Sequence, residues 1–177
     1  MKLERRHFLR LAGALVLCAM IWSAVSPILG GSPLEGRAAP DFSLPLGLGL
    51  GAQQEDRVRL SDLRGKVVVL DFWASWCGPC KHSVPLLNRA SARFEKQALV
   101  YGVNSESLSP AALAFVANSW GFRYPILRDE AREAQLAYGV EALPTVVIID
   151  AVGIVRKVYR GEPTEAALTK QIANLIQ

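Results

Sequence analysis

Two cysteines three positions apart, Cys77 and Cys80, are the residues of this sequence best suited to chemistry, and they close the stretch Asp-Phe-Trp-Ala-Ser-Trp-Cys-Gly-Pro-Cys-Lys at 71–81. The β-branched and leucine run at 67–70 reads as a buried strand, and Gly78-Pro79 reads as a turn into a helix. Cys77 therefore falls where a strand stops and a helix begins. There, unpaired backbone N–H groups and the positive end of the helix dipole favour a thiolate, the form that acts as nucleophile. Cys80, one helical turn further on, can reach the first sulfur, so the pair can pass between dithiol and disulfide. A zinc site would need two further ligands, and the sequence offers only Cys18 inside an apolar N-terminal run, His7 before it and His82 beside the pair. A purely structural disulfide closing so short a loop would constrain the unfolded chain little. Redox chemistry is the reading left standing, with no metal and no other cofactor expected.

Cys77 is then the nucleophile that attacks a disulfide sulfur, and Cys80 resolves the mixed disulfide. Resolution requires Cys80 to lose a proton. Asp71 lies six residues before Cys77 on the strand, where desolvation should raise its pKa and make it a better base near neutrality. The competing reading is a carboxylate at a wet strand end. Glu106, just after the next strand, is a candidate auxiliary acid/base, although a solvated loop charge is the reading that base rates favour. Lys81 and His82 read equally as pKa-lowering neighbours of Cys77 and as surface charges. Trp76 reads as an apolar rim for a substrate chain and Trp73 as core.

The elements that must position these groups follow from the pattern. Segments 41–44 and 57–60 alternate polar and apolar residues around a Gly-rich turn region at 47–54, which suggests a β-hairpin. A helical turn at 61–65 ends at Gly65, and 67–73 is the first buried strand. The helix after the cysteines is expected to reach about residue 96, with Val84, Leu87 and Phe94 inward and Pro85 kinking it. Strand 99–103 follows, then a helix capped by Ser109 with Pro110 at its first position and Gly121 at its end. An extended piece at 124–127, a helix at 129–138, strands at 145–150 and 154–159 paired as a hairpin, and a helix at 164–176 complete the chain. This order implies an α/β fold with a mixed central sheet flanked by helices, an N-terminal β-hairpin and an extra helix–strand insertion.

Residues 71–81 resemble the active-site segment of thioredoxins at nearly every position, and Leu143-Pro144-Thr145 before an apolar strand resembles the thioredoxin cis-proline loop. Ala39-Pro40-Asp41-Phe42 with its hairpin, the insertion at 109–127 and the apolar N-terminus resemble the TlpA/ResA-like branch of exported thioredoxins, over about residues 38–177. The resemblance implies the thioredoxin fold, a proton-transfer role for Asp71, and a substrate-binding surface at Trp76, Gly78, Pro79, Leu143 and Pro144. It also implies a membrane-tethered reductant of protein disulfides, re-reduced by a membrane electron carrier. Some members reduce the haem-binding cysteines of apocytochrome c. Gly78 and Asp71 differ from the residues common in those members and make the centre more like cytoplasmic thioredoxin.

The N-terminus addresses location. Lys2, Arg5, Arg6 and Arg10 precede an apolar run at 11–29, about 19 residues and close to the ~20 that span a bilayer as a helix. Residues 1–29 read as an uncleaved anchor in preference to a cleaved signal. Its cationic flank would keep the N-terminus in the cytoplasm and place the domain on the extracytoplasmic side. Arg5-Arg6-His7-Phe8-Leu9-Arg10 reads equally as a twin-arginine export signal and as an ordinary positive flank. Residues 30–40 read as a tether to a domain at 41–177. The formal charge of +4 is concentrated before residue 38, since 38–177 holds 15 Lys/Arg against 14 Asp/Glu, and nothing there suggests nucleic acid. Two alternatives stand beside the reductase. A peroxiredoxin-like peroxidase would need Pro and Thr where Leu70 and Ala74 stand. A non-enzymatic module is the other: a copper-delivery protein would space the cysteines one residue wider and add a distant histidine, and a substrate-binding chaperone would hold its substrate without turning over.

Overall fold

The computed structural model describes residues 32–49 and 56–176. The apolar run at 11–29, its basic flank and Cys18 lie outside the described residues. So does most of the Gly-rich turn region. Among the described residues no helix is long and apolar enough to cross a membrane.

The sheet has seven strands in the order β2-β1-β5-β4-β3-β6-β7. They are β1 (Ser43–Leu48), β2 (Arg57–Arg59), β3 (Val67–Trp73), β4 (Ala98–Asn104), β5 (Ile126–Arg128), β6 (Thr145–Ile149) and β7 (Val155–Arg160). A 3-10 turn at Leu60–Leu63 follows β2, and the helices are α1 (Gly78–Arg93), α2 (Pro110–Trp120), α3 (Glu133–Ala137) and α4 (Glu165–Leu175). β3 is central and buried at every residue, as its unbroken apolar run requires. It runs parallel to β4 and antiparallel to β6, with Asp71 opposite Gly102 on one side and Val146 on the other.

Side-chain alternation along β3 divides the core in two. Val68, Leu70 and Phe72 pack on one face with Phe42, Tyr138, Val147 and Ile149. Val67 and Val69 pack on the other, under Leu86, Leu87 and Ala90 of α1 and Leu168 and Ile172 of α4. The same alternation puts Asp71 and Trp73 on the α1 face.

Local signals set most boundaries. Ser109 caps α2 by accepting from the Ala112 N–H, and Gly121 ends it in the left-handed conformation. β1 and β2 form the expected hairpin, with Ser43 paired to Arg59. Four expectations are corrected. α1 stops at Arg93, where Phe94 leaves helical geometry. The helix expected at 129–138 is only Glu133–Ala137, because Arg132 takes a φ of 58° and the Asp129 carboxylate accepts from Ala134 and Gln135 N–H, consuming the turn before it. β5 begins two residues later than expected, after Pro125, which has no N–H to give a ladder. Residues 34–40 of the expected tether are bonded along the start of β7, and the compact unit begins at Leu34, ahead of the expected boundary at 41.

Candidate active site

Cys77 is the N-cap of α1. Its Sγ accepts from the Cys80 N–H at 3.2 Å, and its own N–H bonds to the Ala74 carbonyl at 3.0 Å, closing the turn that leads out of β3. Cys77 and Cys80 form a disulfide across a Cα–Cα distance of 5.3 Å. Both are buried, in a cluster with Trp73, Ala74, Leu113, Ala117 and Ile126. Gly78 and Pro79 between them are exposed. A Cβ at Gly78 would meet nothing within 4 Å, so steric demand does not require glycine there.

Leu143 packs against the cluster holding both cysteines, which brings the loop before β6 to the redox centre. The Leu143-Pro144 bond is cis, Thr145 Oγ1 donates to the Ala142 carbonyl at 2.7 Å, and the Pro144 carbonyl accepts from Gly161 N–H at 2.7 Å. Trp76 is 74% exposed, while Trp73 is core, packed at tilted angles against Trp120 and Phe122. Of the expected substrate-binding residues, Gly78 and Pro79 lie between the two cysteines in sequence and Leu143 packs against their cluster. Lys81 and His82 are both exposed on α1.

Asp71 is fully buried on the α1 face, with no wet strand end in reach. Desolvation pushes its carboxyl up from 3.8 to about 7, against a smaller lowering by the Tyr124 hydroxyl. That hydroxyl donates to Oδ2 at 2.9 Å, and Oδ1 has no partner.

Glu106 departs from the solvated loop charge that base rates favoured. Its carboxylate accepts from Ser75 N–H at 2.6 Å, from Ser75 Oγ at 2.8 Å and from Asn104 Nδ2 at 3.0 Å. It is half-buried and clamps the loop that carries Ala74, Ser75 and Trp76 to the end of β4. It also lines a cavity of about 140 Å³ with Trp76, Ser105, Arg132 and Gln135. Sequence reasoning missed Tyr124, Ser75 and Asn104. The one available signal for Tyr124 was a phenol in an apolar run, in a chain with a buried carboxylate short of donors.

The arrangement can cycle between dithiol and disulfide, with a buried group of near-neutral pKa on the face that α1 covers. Comparisons with known proteins agree with that chemistry. The AhpC/TSA family profile matches residues 36–158. Thiol-disulfide oxidoreductase ResA of Bacillus subtilis (strain 168) is 35% identical over 171 residues, 95% of this chain and 92% of that protein. A crystal structure from Chlorobium tepidum, assigned as thiol:disulfide interchange protein DsbE, superposes with a TM-score of 0.71 at 33% identity, covering 81% of this chain and 98% of the other. The exposed lipoprotein thioredoxin Etrx1 of Streptococcus pneumoniae strain TIGR4 gives a TM-score of 0.63 at 30% identity, covering 77% and 100%.

Proposed function

Because the chain belongs to the AhpC/TSA family and is a thiol-disulfide oxidoreductase of the thioredoxin fold, we propose that it reduces protein disulfides on the extracytoplasmic side of a membrane, anchored by residues 1–29. The observation that carries the chemistry is the Cys77–Cys80 pair at the start of α1, with the buried Asp71 on the same face of β3. In the reduced enzyme Cys77 attacks one sulfur of the substrate disulfide. A Cys77–substrate disulfide forms and the other substrate sulfur leaves as a thiolate. Cys80 then gives its proton to the Asp71 carboxylate and attacks Cys77 Sγ. The mixed disulfide breaks, the electron pair goes to the second substrate sulfur, and Cys77–Cys80 closes. Two electrons pass from enzyme to substrate, and a membrane electron carrier restores the dithiol.

The Gly-Pro insert supports the reducing direction, since that motif in thioredoxin has a potential of about −270 mV. Trp76, Gly78, Pro79, Leu143 and Pro144 form the surface on which the substrate chain lies. The anchor reading rests on the length of the apolar run and its basic flank. The family resemblance adds the haem-binding cysteines of an apocytochrome c as a substrate class. No observation favours the peroxidase, since Leu70 and Ala74 are both buried apolar residues at the positions its pattern needs.

Cys80→Ser in the full-length chain is expected to accumulate mixed disulfides that dithiothreitol releases, while Cys77→Ser traps none and loses insulin reduction. Reduced protein that leaves every disulfide intact, with no Cys80→Ser adduct, would overturn the assignment. The location is checked by fractionation: the chain is expected with the membranes and its domain digested by protease added to spheroplasts. Recovery in the soluble cytoplasm would overturn it.

A further inference from the structure

Asp71 is a carboxylate with one donor. Its register neighbours on β4 and β6 are Gly102 and Val146, neither of which has a side chain able to donate a hydrogen bond. Among the described residues, the one hydrogen bond that reaches it comes from Tyr124, on the approach to β5 and 53 residues away in sequence. Tyr124 is itself fixed. Its ring sits edge-on to Phe122 at 5.1 Å, Phe122 packs against Trp73 at 4.8 Å, and the Pro125 carbonyl next to it accepts from Gly102 N–H at 2.9 Å. The phenol is therefore presented to one oxygen of the carboxylate, and Oδ1 is left unpartnered.

We infer that Tyr124 is a positioning residue for thiol–disulfide exchange: its hydroxyl holds Asp71 Oδ2, which leaves Oδ1 as the atom that takes the proton from Cys80. The inference rests on the proton-acceptor reading of Asp71. A donor to a carboxylate stabilises the charged form, so the Tyr124 bond opposes the burial that would otherwise keep Asp71 protonated and idle as a base. Tyr124 does not take the proton itself, since burial and the adjacent Asp71 hold its hydroxyl well above the ordinary tyrosine range.

The titratable surroundings are otherwise sparse. Lys81, His82, Arg89 and Arg93 of α1 and Glu165 and Lys170 of α4 are exposed, and Tyr101 of β4 packs on the opposite face of the sheet. On β7 the same face carries Tyr159, paired with Val146 and so two strands from Asp71, and Lys157, which is ion-paired to Glu35. The groups nearest Asp71 are Tyr124 and, on the reading above, the two cysteines.

The test compares full-length parent, Tyr124→Phe and Asp71→Asn proteins. Tyr124→Phe keeps the ring and its aromatic contacts. Two readouts are followed against pH: the carboxyl carbon resonance of Asp71, and the single-turnover release of substrate thiol from the mixed disulfide. Loss of one hydrogen bond to a charged group should move the acid-side limb of both up by about one pH unit, slowing release about fivefold near pH 7 with recovery at higher pH. Replacing the tyrosines by 3-fluorotyrosine, a stronger donor, should move the limb down with no hydroxyl removed. That arm decides the matter even if Tyr124→Phe does not fold. An unmoved limb in Tyr124→Phe or the fluorotyrosine protein, with the limb abolished in Asp71→Asn, would overturn the inference and leave the role of Asp71 standing. A limb that persists in Asp71→Asn would overturn both.

Discussion

Asp71 has been taken out of water with one neutral donor and no cation beside it, and that alone raises its carboxyl from 3.8 to about 7. The raised value is also a statement about stability. Between those two pH values the folded protein binds a proton that the unfolded chain releases, so this group's contribution is complete below the unfolded value and is lost as pH rises through about 7. A rise of roughly three units corresponds to about 4 kcal/mol, the ceiling for the effect. Asparagine cannot ionise. The difference in unfolding free energy between oxidised Asp71→Asn and parent, from denaturant titrations, should shift in the variant's favour by up to about 4 kcal/mol between about pH 4 and about pH 8. A difference that does not change with pH would mean that Asp71 titrates as an ordinary surface carboxylate. The buried carboxylate thus destabilises the fold at the pH where the proposed resolution step needs it charged.

Strand and helix placement explains why part of this site was legible in the sequence and part was not. β3 and α1 combine an unbroken apolar run, a Gly-Pro turn and a cysteine at the junction, so local propensity and burial agree, and β3 and the start of α1 fall where expected. Ser109, Pro110 and Gly121 likewise mark α2 by cap chemistry. The late start of β5 follows Pro125, which the sequence does display. The start of α3 depends on contacts the sequence does not display, since it is late because Asp129 bonds forward to it. Glu106 belongs to the same class, since its partner Ser75 is 31 residues away. It ties the end of β4 to the loop before α1, and that tie has a measurable consequence. Glu106→Ala leaves the Ser75 N–H without an acceptor and should cost about 1–3 kcal/mol, read as a lower Tm of the oxidised protein. Substrate reduction should slow as well, because the same loop carries Trp76. An unchanged Tm would mean the clamp does not hold in solution.

At the scale of the whole molecule, a seven-stranded open sheet has two edges to protect, and they are protected differently. β2 is three residues long with arginines at 57 and 59, a short charged edge. β7 is longer, and its outer side is covered by residues 35–39. Gly36 N–H bonds to the Val155 carbonyl at 2.8 Å, Val155 N–H to the Arg37 carbonyl at 2.9 Å, and Ala39 N–H to the Gly153 carbonyl at 2.9 Å. Glu35 adds its carboxylate to Val158 N–H at 3.0 Å and an ion pair to Lys157 at 3.2 Å, and Pro40 accepts from the Tyr138 hydroxyl at 2.8 Å. At roughly 1 kcal/mol net for each hydrogen bond in mutational terms, loss of the three backbone bonds along β7 amounts to about 3 kcal/mol. A chain starting at Leu34 should therefore melt at the temperature of the full-length domain, whereas one starting at Asp41 should melt about 10 °C lower, at the few degrees per kcal/mol usual for this size. The shorter chain should also self-associate on size exclusion, because the bare edge of β7 offers unpaired N–H and C=O groups to a second copy. Equal melting temperatures for the two would make 34–40 a passive linker. Unequal ones make it the strap that lets this domain end its sheet in water.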